Sequence, residues 1–409
     1  MVQPSEAPPG ATPPGGSEPP SAEPPSGAPA GSTPPSADLG QRLLELAGEL
    51  VNIPSVSGSE ADIASFAESI LCSRNNLEVV RLGDNVLART KGARTARILL
   101  AGHLDTVPPP SGPAATGSGA RIEGGVLEGL GAVDMKGGVA VLLELTKEAA
   151  AAEVEVTVLL YACEEVGRAR SGLLALARER PDLLACDAAV LAEPTAGVVE
   201  AGCQGTLRLQ VTLAGKRAHT ARPWMGTNAL HRLAGVLGVL DTYAARTASL
   251  DGCEFVESLQ AVGARSGIAG NVVPDLVELD INYRFAPDRT AEDAIAHVRE
   301  TLESGGFGGD PGDRLVVVDV AEGALPSFGS PLLASLATAT GRPPKAKVGW
   351  TDVAFFAGRG TPAVNFGPGD PSLCHSPGEH VSAGELADVY TVLQGVIGVN
   401  RGTPPLRHG

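Results

Sequence analysis

The chain has 409 residues, a formal net charge of −16 and 3% aromatic residues. That length exceeds one ordinary hydrophobic core, so two domains are expected. The acidity disfavours nucleic acid and anionic membrane as partners, and no apolar run reaches the ~18 residues a membrane span needs.

In chain order, residues 1–38 hold 12 of the 33 prolines, mixed with Gly, Ser, Ala and Glu. Such a segment cannot build a core, and a disordered Pro-rich tail is expected. It lacks the basic start and apolar stretch of a secretory signal, so a cytoplasmic protein is expected. From Leu39 the pattern turns regular. Apolar spacing predicts helices over Gln41–Val51 and Glu60–Leu71, then strands at Leu77–Arg81, Val86–Arg89 and Ile98–Ala101. A helix over Lys136–Ala150, a strand Val154–Tyr161, a helix after Ser171 and a strand Ala188–Ala192 follow. Strands alternating with helices imply an α/β fold: a mainly parallel sheet with helices on both faces.

Beyond Cys203 the texture changes. Leu207–Leu213 alternates as a half-exposed strand, and Asn228–Tyr243 reads as helix. Strands near Glu254–Val262 and Val277–Phe285, a helix Ala291–Leu302 and a strand Leu315–Val320 complete a β-α-β-β-α-β order, that of an inserted ferredoxin-like α+β domain. The expected division is 39–205 and 319–405 for the larger domain and 206–318 for the insertion. Pro331–Thr340 reads as helix, Ala363–Phe366 as strand and Ala383–Val399 as a closing helix. The six cysteines, Cys72, Cys163, Cys186, Cys203, Cys253 and Cys374, are scattered, which fits reduced thiols and not a disulfide framework.

Five segments carry chemistry. In Leu99–Pro108 an aliphatic strand runs into His103, with Asp105 two residues on. Residues i and i+2 of a strand share a face, so Asp105 can accept from one imidazole nitrogen while the other binds metal; a structural strand-end histidine is the alternative. Asp134 lies between glycines in Gly129–Gly138, free to approach two ions closely or to cap the following helix. Glu164 and Glu165 end the strand of Leu159–Gly167; adjacent buried carboxylates need a nearby positive charge, unless they sit in a solvated loop. Glu193 ends another buried-type strand and is followed by Pro194. His375 lies on a loop after a late strand. All five segments end at or just after strands, where α/β sheets build their sites.

These segments resemble the M20 family of metallopeptidases and deacylases, and the similarity runs from Leu39 to the C-terminus. Within it the likeness is greatest to succinyl-diaminopimelate desuccinylases, on Glu200–Thr206, Asn282–Pro287, Gly349–Val353 and Pro362–Pro371. The resemblance implies two zinc ions, with Co2+ or Mn2+ compatible with the same ligands. His103 and Glu193 would hold one, Glu165 and His375 the other, and Asp134 would bridge. Glu164 would be the catalytic base and Asp105 the group orienting His103. A cis peptide at Asp134–Met135 is also implied.

By the same resemblance the inserted domain is a dimerisation and lid domain. His219, which the residues alone leave as a turn histidine, would reach into the partner's active site and steady the oxyanion, and Asn271 would do the same for substrate. A homodimer acting on a small acyl-amino acid is implied. Arg284 would grip a carboxylate, although an exposed strand charge is its other reading. Thr351 would line the acyl pocket. Gln204 stands where many desuccinylases carry arginine, yet it can still donate a hydrogen bond to substrate. An N-acetylornithine deacetylase or a small dipeptidase is the alternative enzyme. A non-catalytic metal-binding scaffold should lack a ligand or the base, and all seven positions are filled.

Overall fold

The computed structural model describes residues 35–398 apart from 93, 95 and 111–118. The expected tail lies outside the described residues up to residue 34, and so does Val399 at the end of the closing helix. The first helix, Pro35–Val51, starts inside the segment expected to be tail. Proline suits a first helical turn because the N–H it lacks would be unpaired there anyway.

An eight-stranded sheet forms the larger layer. Its centre is four parallel strands, lying side by side in the order Glu155–Tyr161, Arg97–His103, Ala188–Leu191, Ala363–Asn365. Leu77–Leu82 and Asn85–Thr90 extend it antiparallel on one side, and Glu200–Ala201 and Lys345–Ala346 complete the other. Successive residues of each central strand feed two different cores. Ile98, Leu100, Val156 and Val158 pack with helices Pro35–Val51, Gly137–Leu145 and Ala383–Val396. Leu99, Ala101, Leu159 and Tyr161 meet Leu173 and Leu176 of Gly172–Glu179 and Phe355 and Phe356 of Val353–Ala357. Burial on both faces is why these strands read as unbroken aliphatic runs.

The second sheet is antiparallel, in the order Ser258–Ser266, Leu276–Phe285, Gly205–Ala214, Arg314–Ala321. Every other residue of Gly205–Ala214 (Leu207, Leu209, Val211, Leu213) enters a core with Val236 of helix Ala229–Asp241 and Val298 of helix Ala291–Ser304. Both helices start on side-chain caps: Asn228 accepts from the N–H groups of Leu230 and His231, and Thr290 forms a capping box with Asp293. The strand order and connections are those of a ferredoxin-like unit.

The run expected as one strand near Glu254–Val262 is two. Cys253–Val256 pairs with Thr247–Leu250, while Ser258–Ser266 joins the small sheet. Between them sits Glu257, a buried carboxylate that accepts from the Tyr283 hydroxyl and Arg289 Nε, both at 2.8 Å. A buried charge is tolerated only with partners of this kind. All six cysteines are free, and no helix among the described residues is long and apolar enough to cross a membrane.

Candidate active site

His103 is the last residue of its strand and is buried. Its Nδ1 lies 2.9 Å from the backbone carbonyl oxygen of Asp105 and 3.6 Å from the nearer carboxylate oxygen. The expected side-chain acceptor is therefore a main-chain one, because the strand stops at His103 and the two-residue alternation stops with it. The Asp105 carboxylate instead accepts the backbone N–H groups of Glu164 and Glu165, each at 3.0 Å, and the Ser57 hydroxyl at 2.7 Å. Nδ1 acting as donor leaves His103 Nε2 directed at Asp134 Oδ1, 3.0 Å away.

Asp134 sits in a single π-helical turn, Ala132–Lys136, and its bond to Met135 is cis. Gly131 enters this turn at φ 80°, where a Cβ would lie 2.7 Å from Thr106 Cγ2. The buried Glu379 carboxylate accepts the N–H groups of Gly131, Val133 and Asp134 at 3.1, 2.8 and 2.9 Å. The turn is thus held by an acid 245 residues further on. Of the two Asp134 oxygens, Oδ1 faces His103 and Oδ2 lies 3.4 Å from His375 Nε2.

Past its strand the chain turns left-handed at Cys163 (φ 60°), and a carboxylate oxygen of Glu164, one of Glu165 and a ring nitrogen of His103 all lie within 4.8 Å of one another. Glu165 Oε1 lies 2.8 Å from His375 Nε2. Glu193 follows the Ala188–Leu191 strand, buried, with one carboxylate oxygen lacking any hydrogen-bond partner. The donor atoms of His103, Asp134 and Glu193 all lie within 4.8 Å of one another, and so do those of Asp134, Glu165 and His375. The two triads share Asp134.

Electrostatics follow from this crowding. Burial, with Asp134 nearby, raises the Glu193 carboxyl to about 7. Burial pushes Glu164 well above the usual carboxylate range, with Glu193, Asp352 and Glu165 adding to the effect against His103. Burial alone would raise Asp134 too, but hydrogen bonds from His103 and His375 outweigh it and hold that carboxyl far down. Hydrogen bonds to Asp134 and Glu165 lift His375 to about 10. A group of carboxylates that draws this strongly on positive charge, with an unpartnered buried oxygen at Glu193 and imidazole nitrogens between, fits divalent metal.

A cleft of about 460 Å3 opens over Glu164, Glu165 and His375. Arg284 lines it. Gln204 does not: it is buried, and its amide donates to the Val256 carbonyl at 2.6 Å. Thr351 is likewise buried, bonded to the Asn365 side chain at 3.2 Å, while its neighbours Trp350 and Asp352 face the cleft. His219 and Asn271 are exposed beside a small two-stranded antiparallel sheet in which Ala218–His219 pairs with Val272–Val273, and neither lines this cleft. Sequence reasoning missed Asp352, Glu379, Arg208 and Asp319. Asp352 was within reach, since it follows Thr351 in Gly349–Val353; Glu379 carries no local signal.

The family description "Peptidase family M20/M25/M40" matches residues 99–398. A putative succinyl-diaminopimelate desuccinylase of Mycobacterium tuberculosis is 45% identical over 88% of this chain and 99% of its own length. A succinyl-diaminopimelate desuccinylase of Corynebacterium glutamicum is 43% identical over 88% of this chain and 97% of its own. Among solved structures, a tripeptidase of Staphylococcus aureus superposes with a TM-score of 0.71 at 20% identity, covering 88% of this chain and 98% of that one. A dinuclear metal-binding M20 peptidase of Bacillus subtilis gives 0.63 at 16% identity, covering 88% and 98%. With the site described above, these findings make the protein a metal-dependent amide hydrolase. The chain belongs to the M20/M25/M40 peptidase family.

Proposed function

We propose that this enzyme hydrolyses N-succinyl-LL-2,6-diaminopimelate to succinate and LL-2,6-diaminopimelate, using two Zn2+ ions. The observation carrying the reaction is the pair of ligand triads sharing Asp134, with Glu164 beside them. The substrate assignment is supported by relatives of that name at 45% and 43% identity over nearly their whole length. His103, Asp134 and Glu193 would hold one ion and Asp134, Glu165 and His375 the other. Bound there, the ions would supply a polarised scissile carbonyl and a water acidic enough to ionise near neutrality.

The chain's own groups do the rest. Glu164 takes the proton of the attacking water and returns it to the leaving nitrogen, a role its position in the cleft beside the two triads supports. Asp105 fixes where Glu164 stands by holding its main-chain N–H. Arg284, from the small sheet, would meet a substrate carboxylate, which its position in the lining of the same cleft as Glu164 and Glu165 supports. Residues 206–318 would form a lid and dimerisation domain between catalytic segments 39–205 and 319–405. In a homodimer, the exposed His219 and Asn271 would serve the partner's site, which their exposure and their absence from this chain's own cleft lining support.

The deciding experiment offers the metal-reconstituted enzyme N-succinyl-LL-2,6-diaminopimelate and N-acetylornithine in parallel. Succinate release is expected to exceed acetate release by kcat/KM; faster acetate release would overturn the substrate assignment.

A further inference from the structure

Three strands of the small sheet present a polar wall to the cleft. Thr206 and Arg208 come from Gly205–Ala214, Asn282 and Arg284 from Leu276–Phe285, Asp319 and Ala321 from Arg314–Ala321. Pairing places Arg208 directly between Asn282 and Asp319, and Thr206 between Arg284 and Ala321. With a rise of ~3.3 Å per residue, the Arg284 row lies about 6.6 Å along the strand from the Arg208 row.

Asp319 reaches this wall only because the strand bulges. Val317 pairs with Leu209 and Asp319 with Arg208, which leaves Val318 as the extra, exposed residue. In an unbroken ladder Val318 would face the cleft and Asp319 the apolar core beneath. Bulges of this kind re-aim a side chain beside an active site. The re-aimed carboxylate accepts from Arg208 Nη2 at 2.8 Å, with both side chains substantially exposed to solvent. An exposed ion pair adds little to stability, so the bulge serves the wall more than the fold. Arg284, by contrast, forms no ion pair among the described residues; burial, with Arg208 nearby, pushes its guanidinium down. The wall therefore holds one balanced ion pair and one uncompensated cation.

Resting on the reading of the enzyme as a desuccinylase, we propose that the Arg208–Asp319 pair receives the distal α-amino-acid terminus of the diamine half of the substrate. That terminus carries an ammonium and a carboxylate on one carbon. It can exchange partners with the pair, ammonium to Asp319 and carboxylate to Arg208, so that no charge is left alone. Arg284 remains free for a second carboxylate. Asp319 is the one acid that the small sheet brings to the cleft lining. Acyl-amino acids whose leaving group lacks this zwitterion leave Arg208 and Asp319 paired with each other and gain nothing from them. The pair thus sets specificity.

The test uses metal-loaded full-length enzyme and three amides. They are N-succinyl-LL-2,6-diaminopimelate, N-succinyl-2-aminopimelate (no distal amine) and Nα-succinyl-lysine (no distal carboxylate). The wild type is expected to prefer the first over each of the others by about tenfold or more in kcat/KM, the worth of a charge-assisted hydrogen bond. Asp319→Asn should erase the preference over the aminopimelate compound, and Arg208→Gln that over the lysine compound. Asp319→Glu, which keeps the charge, should retain most of it. Undiminished preferences in the variants would overturn the proposal while leaving the desuccinylase assignment standing. If the wild type releases no succinate at all, that assignment fails, and calorimetric titration with LL-2,6-diaminopimelate still decides the proposal. Binding about tenfold weaker in Asp319→Asn supports it, and an unchanged Kd refutes it.

Discussion

The carboxylate of Asp105 accepts the main-chain N–H of Glu164 at 3.0 Å. Its other oxygen accepts from Glu165, so one side chain fixes both acids that follow the left-handed Cys163. Asp105 thereby fixes Glu164 and Glu165 through its carboxylate and meets His103 through its main-chain oxygen. Asp105→Asn exchanges one acceptor for an NH2 that faces a donor, which releases part of the turn. A shift of about 1 Å in a catalytic group costs on the order of 100-fold. Asp105→Asn is therefore expected to lower kcat about 100-fold, with weaker metal retention by Glu165; a kcat within threefold of wild type would refute this role.

Glu164 has a different signature. As the proposed base it would take part in proton transfer, and it is not a member of the two triads that share Asp134. Glu164→Gln keeps the shape and removes the base, so kcat should fall by about 10²–10⁴ while metal content stays at the wild-type ratio. Metal analysis of the purified variant beside its kinetics checks both halves. Loss of metal in step with loss of rate would make Glu164 a ligand.

Glu379 supports Asp134, the proposed bridging ligand, from beneath. Its carboxylate holds three N–H groups of the Asp134 turn. Glu379→Gln replaces one acceptor oxygen with a donor facing those N–H groups, a loss of about 1–3 kcal/mol at a buried site. Thermal unfolding of the metal-free and metal-loaded forms should show a lower Tm in both, and calorimetry a weaker metal affinity. An unaltered affinity would separate the turn from the metal site.

His219 tests the dimer. His219→Ala should keep its metal and lose at least about 100-fold in kcat, the loss expected for one oxyanion donor. Mixing and reassembling His219→Ala with Glu164→Gln chains should restore activity, since one chain would then supply Glu164 and the other His219. If the mixture stays as inactive as its parts, the residue does not act across subunits.

Much of this site was legible because strand ends and glycine-flanked acids mark themselves locally. His103, Asp134, Glu165, Glu193 and His375 come together as their segments suggested, and the aliphatic runs gave the central strands. Sequence could not show which atom of Asp105 meets His103, because that depends on where the strand stops. Nor could it show that Glu379 lies under Asp134, a contact across 245 residues. The family resemblance points Gln204 and Thr351 at substrate, but their side chains turn into the protein to satisfy Val256 and Asn365. Asp319 needed the bulge at Val318 to be seen, and one inserted residue changes the facing of everything beyond it.

The small sheet carries its own pH dependence. Asp313 is nearly fully buried and accepts from both terminal nitrogens of Arg232, at 2.8 and 2.7 Å. The N–H groups of Ala214 and Gly308 add bonds at 2.9 and 2.8 Å. Burial alone would raise this carboxyl, but Arg232 and the Ala214 N–H outweigh it and hold it below the usual range. A folded-state pKa beneath the unfolded value of about 3.9 means that the ionised form stabilises the fold at higher pH. That contribution is complete above about pH 5 and is lost as pH falls through 3.9 toward the folded value. Asp313→Asn, which cannot ionise, should be less stable than wild type at pH 7 by denaturant titration. The gap should then narrow on acidification below about pH 4, where the wild type loses the same interaction. A gap that stays constant from pH 7 to pH 3 would mean that packing, and not the charge on Asp313, holds Arg232 and the Gly308 loop in place.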